Sequence, residues 1–233
     1  SNLMQAYETA FKKHQLKVAQ VLLTQDDLSN RNRYSNANHT LEELFKNGIV
    51  PIVNENDTVV VQEIKFGDND TLASLVAHLV DADLLVLLTD TEGLYREDPR
   101  VNPEAELIRD VHRWEPFLEQ AAGSSGSMVG TGGMVTKVRA AKRMMQSGVP
   151  MVIAQARMKN ILIRLFKAEL VGTFFHPEGR RMKSRKRWLA WGGKPQGEII
   201  VDDGAKRALV DRHTSLLPSG VKRVGGHWEA GDV

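Results

Sequence analysis

The chain has 233 residues, of which 42% are hydrophobic, enough to bury a full core and to hold more than one domain. A formal net charge of +2 leaves no global field that demands nucleic acid or a membrane surface, and the lack of cysteine excludes disulfides and thiolate metal sites. No apolar stretch approaches the ~20 residues that cross a bilayer and no signal peptide is visible, so a soluble, cytoplasmic protein is expected.

Residues 1–13 carry Leu3, Tyr7 and Phe11 on one side of an amphipathic helix, and residues 17–24 read as a strand. A helix is predicted from about Leu41, with Thr40 and Glu43 as a capping box. Leu41, Leu44 and Phe45 share its face, and Gly48 is its stop. The apolar run 49–53 then leads into Asn54-Glu55-Asn56-Asp57. A second helix follows Gly67-Asp68-Asn69-Asp70, carries Leu72, Leu75, Val76, Leu79 and Val80 at helical spacing, and runs directly into the apolar stretch 84–88 and Thr89-Asp90. A short strand near 107–111 and a helix around Phe117 precede a glycine-rich run at 130–137. The helix beyond Lys137 presents Val138, Ala141 and Met145, and Gly148 separates it from a strand over 151–154. Strands and helices alternating at these lengths imply an α/β chain, a three-layer αβα sandwich with a mainly parallel sheet covered on both faces.

The glycine-rich run, Gly130-Thr131-Gly132-Gly133-Met134-Val135-Thr136-Lys137, opens a helical pattern with a lysine one turn inside. Glycines let backbone amides approach an anion closely, and a helix N-terminus adds about half a positive charge there. Side chains lean back toward the helix start, so Lys137 aims its ammonium at whatever the loop holds. This suits phosphate, although it is not a Walker A loop, and taken alone the run fits a flexible linker equally well. The polar clusters after the apolar runs would lie at the carboxyl ends of parallel strands, where ligands sit in open α/β sheets. Asn and Asp are also ordinary turn and cap residues, and for Asp70 a helix N-cap is the competing role. His78, His112 and His176 show no ligand spacing and are expected as ordinary surface or core residues; no metal ligand is assigned.

At 53–57, 63–70, 88–95 and 130–137 the sequence closely resembles the γ-glutamyl kinases, a branch of the amino-acid kinase family that opens proline biosynthesis in bacteria. The resemblance runs over nearly the whole chain. It implies the amino-acid kinase fold and transfer of the ATP γ-phosphoryl group, with Mg²⁺, to the side-chain carboxylate of L-glutamate. Carried over to matching positions, Asp57 and Asn69 bind glutamate, with Asn54 and Asp68 contributing. Thr89 and Asp90 bind nucleotide together with Thr131, Gly132, Gly133, Met134, Val135, Thr136 and Lys137. Lys137 and Asp70 act at the transferring phosphate. The resemblance further implies inhibition by proline, with residues around Glu63 as a candidate regulatory segment, and a homo-oligomer, dimer or tetramer.

Both ends depart from the pattern. A stretch that family members carry before the first helix, with a second phosphate lysine, is not matched, so the kinase domain over 1–178 is expected to be incomplete and this chain alone to lack kinase activity. Residues 179–196 are expected as a basic linker, with Trp188 and Trp191 in interdomain packing, and 197–233 resemble the start of a β-rich PUA module. Two other readings stay open. One is a sibling kinase acting on acetylglutamate, aspartate, carbamate or a nucleoside monophosphate. The other is an RNA-binding protein that uses the basic stretch and the tail.

Overall fold

A computed structural model describes residues 2–56, 68–124, 133–193 and 197–226. The chain forms two compact units, Ser1–Gly192 and Gly193–Val233.

The first unit opens with helix α1 (Asn2–Lys12) and strand β1 (Lys17–Leu23). Met4 is the residue α1 buries, whereas Leu3 on its apolar side stays 61% exposed. Strand β1 pairs in parallel with β2 (Ile49–Glu55), Lys17 opposite Ile49 and Leu23 opposite Glu55. Helices α2 (Gln25–Ser29) and α3 (Arg31–Lys46) make the crossover.

The caps of these helices differ from the sequence reading. A reciprocal capping box does occur, but at Thr24 and Asp27, where Asp27 N donates to Thr24 Oγ1 at 3.2 Å and Thr24 N to Asp27 Oδ2 at 2.8 Å. The cap of α3 is Asn30, whose side chain accepts from the amides of Asn32 and Arg33. Thr40 lies inside α3 and its hydroxyl donates back to Asn36 O at 2.9 Å, so Thr40 and Glu43 cap nothing. Residues 31–39 are mostly polar, which hid the first turns of α3 from a reading keyed to apolar periodicity. Leu41 is fully buried as expected, while Phe45 remains 49% exposed.

Helix α4 (Asn69–Leu79) packs Leu72, Leu75 and Leu79 against Leu23, Leu28 and Leu41. Beyond it stands a four-stranded sheet in the order β3 (Leu85–Thr89), β5 (Met151–Gln155), β6 (Thr173–Phe175), β4 (Asp110–Val111). Strands β3 and β5 are parallel, β4 and β6 are parallel, and β5 and β6 run antiparallel. The short β4 replaces the strand expected over 107–111, with Leu107 forming only an isolated bridge to Tyr95.

Alternation along β5 produces the layers. Met151 and Ile153 enter a core with α5 (Phe117–Ser124) and α6 (Met134–Ser147), while Val152 and Ala154 meet Ile161 of α7 (Ile161–Phe166) on the other face. The fold class is α/β with mostly parallel pairing, as the alternation predicts. It is nevertheless not one continuous sheet. Strands β1 and β2 form a sheet of their own, and among the described residues no ladder joins β2 to β3. An apolar groove of about 420 Å³, lined by Pro51, Val53, Leu72, Val76, Leu84 and Leu85, lies there.

Within the stretch expected as a basic linker, Ser184–Trp191 form helix α8. Trp188 is buried and its Nε1 donates to Leu28 O at 3.1 Å, while the buried Arg187 pairs with Asp81. Trp191 packs on the same cluster as Leu28, so both tryptophans are anchored inside the first unit. Arg185 and Lys186 are exposed, and this is how a strongly basic segment still folds.

The second unit holds β7 (Gly197–Val201) and β8 (Val221–Gly226), paired antiparallel with a register shift between Ile200 and Val201. Between them α9 (Asp203–Val210) is capped by Asp202, which accepts from Ala205 N at 2.7 Å. No closed barrel is formed among the described residues.

Candidate functional site

The site grows from the starts of two helices packed side by side. At the start of α4 the cap is Asp68, with Thr71 N donating to Oδ1 at 2.6 Å and Thr71 Oγ1 to Oδ2 at 3.0 Å. Asp70 is therefore not the cap. It sits one residue into the helix and reaches α6, where its Oδ2 lies 3.1 Å from Lys137 Nζ and accepts from Thr136 Oγ1 at 2.6 Å. The Asp70 and Lys137 side chains are only 13% and 12% exposed, so the pair is shielded enough for its charges to matter.

Helix α6 begins after Gly133, which offers no side-chain cap. An acidic Asp70 in the first turn of α4 agrees with that helix's dipole, but a cation as near the start of α6 as Lys137 opposes its own. The bond to Asp70 offsets part of that opposition. A cation at the positive end of a helix makes sense for an incoming anion. Met134 packs into the core below α5 and α6 and anchors the turn, while Val135 is partly exposed.

The ends of β3 and β5 carry the next group. Thr89 is opposite Gln155, Ala156 N donates to Thr89 O at 2.7 Å, and Gln155 Nε2 reaches Asp90 O at 3.3 Å. Asp90 is exposed, and its carboxyl is held below the usual range by the Thr89 hydroxyl and a backbone amide, with the charges of Lys137 and Arg100 adding. Lys137 is therefore within electrostatic reach of Asp90. Asn54 lies exposed at the end of β2, and Asn69 opens α4 at the groove between the sheets. Asp57, the segment 63–67 with Glu63, and Thr131 and Gly132 lie outside the described residues.

Behind Asp70 runs a buried polar stripe that the sequence reading missed. Arg143 Nη1 donates to Ser74 Oγ at 2.7 Å, and Ser147 Oγ meets His78 Nε2 at 2.7 Å. Burial, together with the nearby cations Arg187 and Arg143, pushes His78 down to about 3. Burial also lowers Arg143, partly offset by Asp68, and its guanidinium lies 5.5 Å over the Trp191 ring. Spacing could have revealed the stripe: Asp70, Ser74 and His78 recur every four residues on α4, and Thr136, Arg143 and Ser147 share one face of α6. His112 and His176, expected as ordinary residues, are brought together with Asp110 by strand pairing across the far edge of the sheet.

Among known proteins, residues 1–155 match the amino acid kinase family. Over 231 residues the chain is 52% identical to the glutamate 5-kinase of Geobacter sp. (strain M21), a match that covers 99% of this chain and 62% of that protein. It is 50% identical over 231 residues to the glutamate 5-kinase of Pseudomonas syringae pv. tomato (strain ATCC BAA-871 / DC3000), with the same 99% and 62% coverage. The chain thus spans 62% of the length of the curated relatives it matches. A solved isopentenyl phosphate kinase superposes with a TM-score of 0.52 at 17% identity, over 75% of this chain and 65% of that one, a likeness of fold.

Proposed function

This chain belongs to the amino acid kinase family, and from that premise we propose that it serves ATP-dependent phosphorylation of the L-glutamate side-chain carboxylate, giving L-glutamyl 5-phosphate for proline biosynthesis. The supporting observation is the Asp70–Thr136–Lys137 cluster at the start of α6, in a chain half identical to glutamate 5-kinases.

The nucleophile in this reaction is already ionised at neutral pH, so no general base is needed. The obstacle is repulsion between a carboxylate and a triphosphate. Lys137 offers three donors on one charge, and Asp70, itself bonded by the Thr136 hydroxyl, helps to hold that charge in place. The uncapped start of α6 fits a phosphate group, since its first amides have no side-chain partner at Gly133. Lys137 and these amides would stabilise the negative charge on the transferring group and its leaving oxygen. Thr89 and Asp90 would contact the nucleotide from the strand ends. Asn54, Asn69 and Asp57 would hold glutamate, and Asp68 would act by fixing where α4 begins.

Magnesium takes oxygen ligands and is commonly held by one carboxylate and the substrate phosphates. Asp70, which reaches from α4 to the start of α6, is a carboxylate that fits that requirement. Mg²⁺ bound there would screen the charge on the phosphates. The same reading carries proline as end-product inhibitor and a cytoplasmic homo-oligomer, with the kinase portion reaching Gly192 and a PUA-like module over 197–233.

The test compares wild type and Lys137→Ala in the whole protein. Turnover should fall by roughly 100-fold or more while the glutamate KM changes by less than about threefold. A loss below tenfold, about 1.4 kcal/mol, would remove Lys137 from the mechanism. The acceptor is tested with glutamate beside N-acetylglutamate, aspartate and UMP; equal or better transfer to any of the other three would overturn the substrate assignment.

A further inference from the structure

Strands β4 and β6 run opposite to β3 and β5. The residues that follow β4 and β6 therefore emerge at the end of the sheet where β3 and β5 begin, away from Thr89 and Asp90. Three side chains converge there. His176 N donates to Val111 O at 2.8 Å, which extends the parallel ladder one step and sets His112 beside His176. The two imidazole rings stack with centroids 3.9 Å apart at 18°, and His176 Nε2 lies 3.0 Å from Asp110 Oδ1. Val111 and Phe175 point into the core shared with α5 and α6, so Asp110, His112 and His176 lie on the opposite face. Phe174 meets the His176 ring edge-on at 4.6 Å.

We propose that Asp110, His112 and His176 form a binding site for a divalent transition metal of the Zn²⁺ class, separate from the nucleotide site. One ligand atom from each of the three lies within 4.8 Å of the other two. Around a tetrahedral ion with bonds of about 2.0–2.1 Å, ligand atoms stand roughly 3.3 Å apart. His176 Nε2 and Asp110 Oδ1 already stand near that spacing, so His112 need only turn its nitrogen toward them, and these side chains are exposed enough to adjust without disturbing the core. The backbone beneath them is already fixed by the ladder. Two imidazole nitrogens and one carboxylate favour Zn²⁺, Co²⁺, Ni²⁺ or Cu²⁺ over Mg²⁺ or Ca²⁺, and three protein ligands leave a fourth position for water. A bound ion would tie the two-residue strand β4 to β6 at the sheet edge.

The probe is ZnCl₂ added to the chelator-treated 233-residue chain, read by equilibrium dialysis and thermal unfolding. One equivalent should bind with micromolar affinity and raise Tm. His112→Ala and His176→Ala should each weaken binding by roughly tenfold or more, and His39→Ala and His213→Ala should leave it unchanged. Co²⁺ in place of Zn²⁺ should give visible ligand-field absorption in the wild type that is lost in His176→Ala. No saturable Zn²⁺ binding below millimolar, or one equivalent retained by a His112→Ala, His176→Ala double variant, would overturn the site.

Discussion

His78 is buried between α4 and α6, with Nε2 2.7 Å from Ser147 Oγ and no partner for Nδ1 among the described residues. Burial and the cations Arg187 and Arg143 depress it to about 3, whereas in the unfolded chain it titrates near the ordinary ~6.5. Between those values the unfolded state binds a proton and the folded state does not. Stability is therefore whole above pH ~6.5 and drains as pH falls toward 3, by up to about 1.4 kcal/mol per pH unit. Gln at this position stays neutral and still reaches Ser147. Urea unfolding at pH 7.5 and pH 5.0 should show His78→Gln losing about 2 kcal/mol less than wild type on acidification. Equal losses would mean that His78 is not the group responsible. At the same scale, Asp68 and Asp70 illustrate how far spacing reaches. Both fit a cap in the sequence, and only the geometry gives the cap to Asp68, with Thr71 on both its oxygens, and the cation to Asp70.

Helix α6 was the most legible element, because Val138, Ala141 and Met145 are buried at the spacing the sequence shows and Gly148 ends it. Gly148 takes φ +78 in the left-handed region, and Gly148 N and Val149 N return to Met145 O and Met144 O at 3.0 Å each. A Cβ there would lie 2.5 Å from Arg181 Cα and 2.6 Å from Arg181 N, backbone atoms that cannot swing aside. Gly148→Ala combines left-handed strain with that collision and should cost about 2–4 kcal/mol in urea unfolding, with an unchanged m value. A cost under about 1 kcal/mol would show that the 180–181 backbone yields freely. Helix α3 was legible only in its second half. Its N-terminal turns are specified by the Asn30 cap, and capping by a polar side chain leaves no apolar rhythm to follow. Likewise the Asp70–Lys137 contact joins residues 67 apart in sequence, so the pattern marked both residues while their meeting belongs to the packing of α4 on α6.

Across the whole molecule, local pattern identified strands without saying which edges pair. The separation of β1 and β2 from the four-stranded sheet, and the reversal of β6 against β5, are decided by contacts between distant segments. The same is true of α8. Its sequence is so basic that solvation looked sufficient, yet Trp188 is buried with its indole N–H on Leu28 O, and Arg187 is buried against Asp81. The first unit therefore extends through α8 rather than stopping near residue 178. Removing α8 takes away Arg187 together with its charge, and its partner Asp81 is already exposed, so no orphaned buried charge offsets the loss. The dominant cost is the emptied tryptophan site, about 3–5 kcal/mol. A chain ending at 192 should thus be more stable to urea than one ending at 178 by at least that amount. The shorter chain should also lose part of the His78 effect, since Arg187 is one of the two cations that depress it. If the two chains unfold within about 1 kcal/mol of each other, α8 is only resting on the first unit and its burial of Trp188 contributes little.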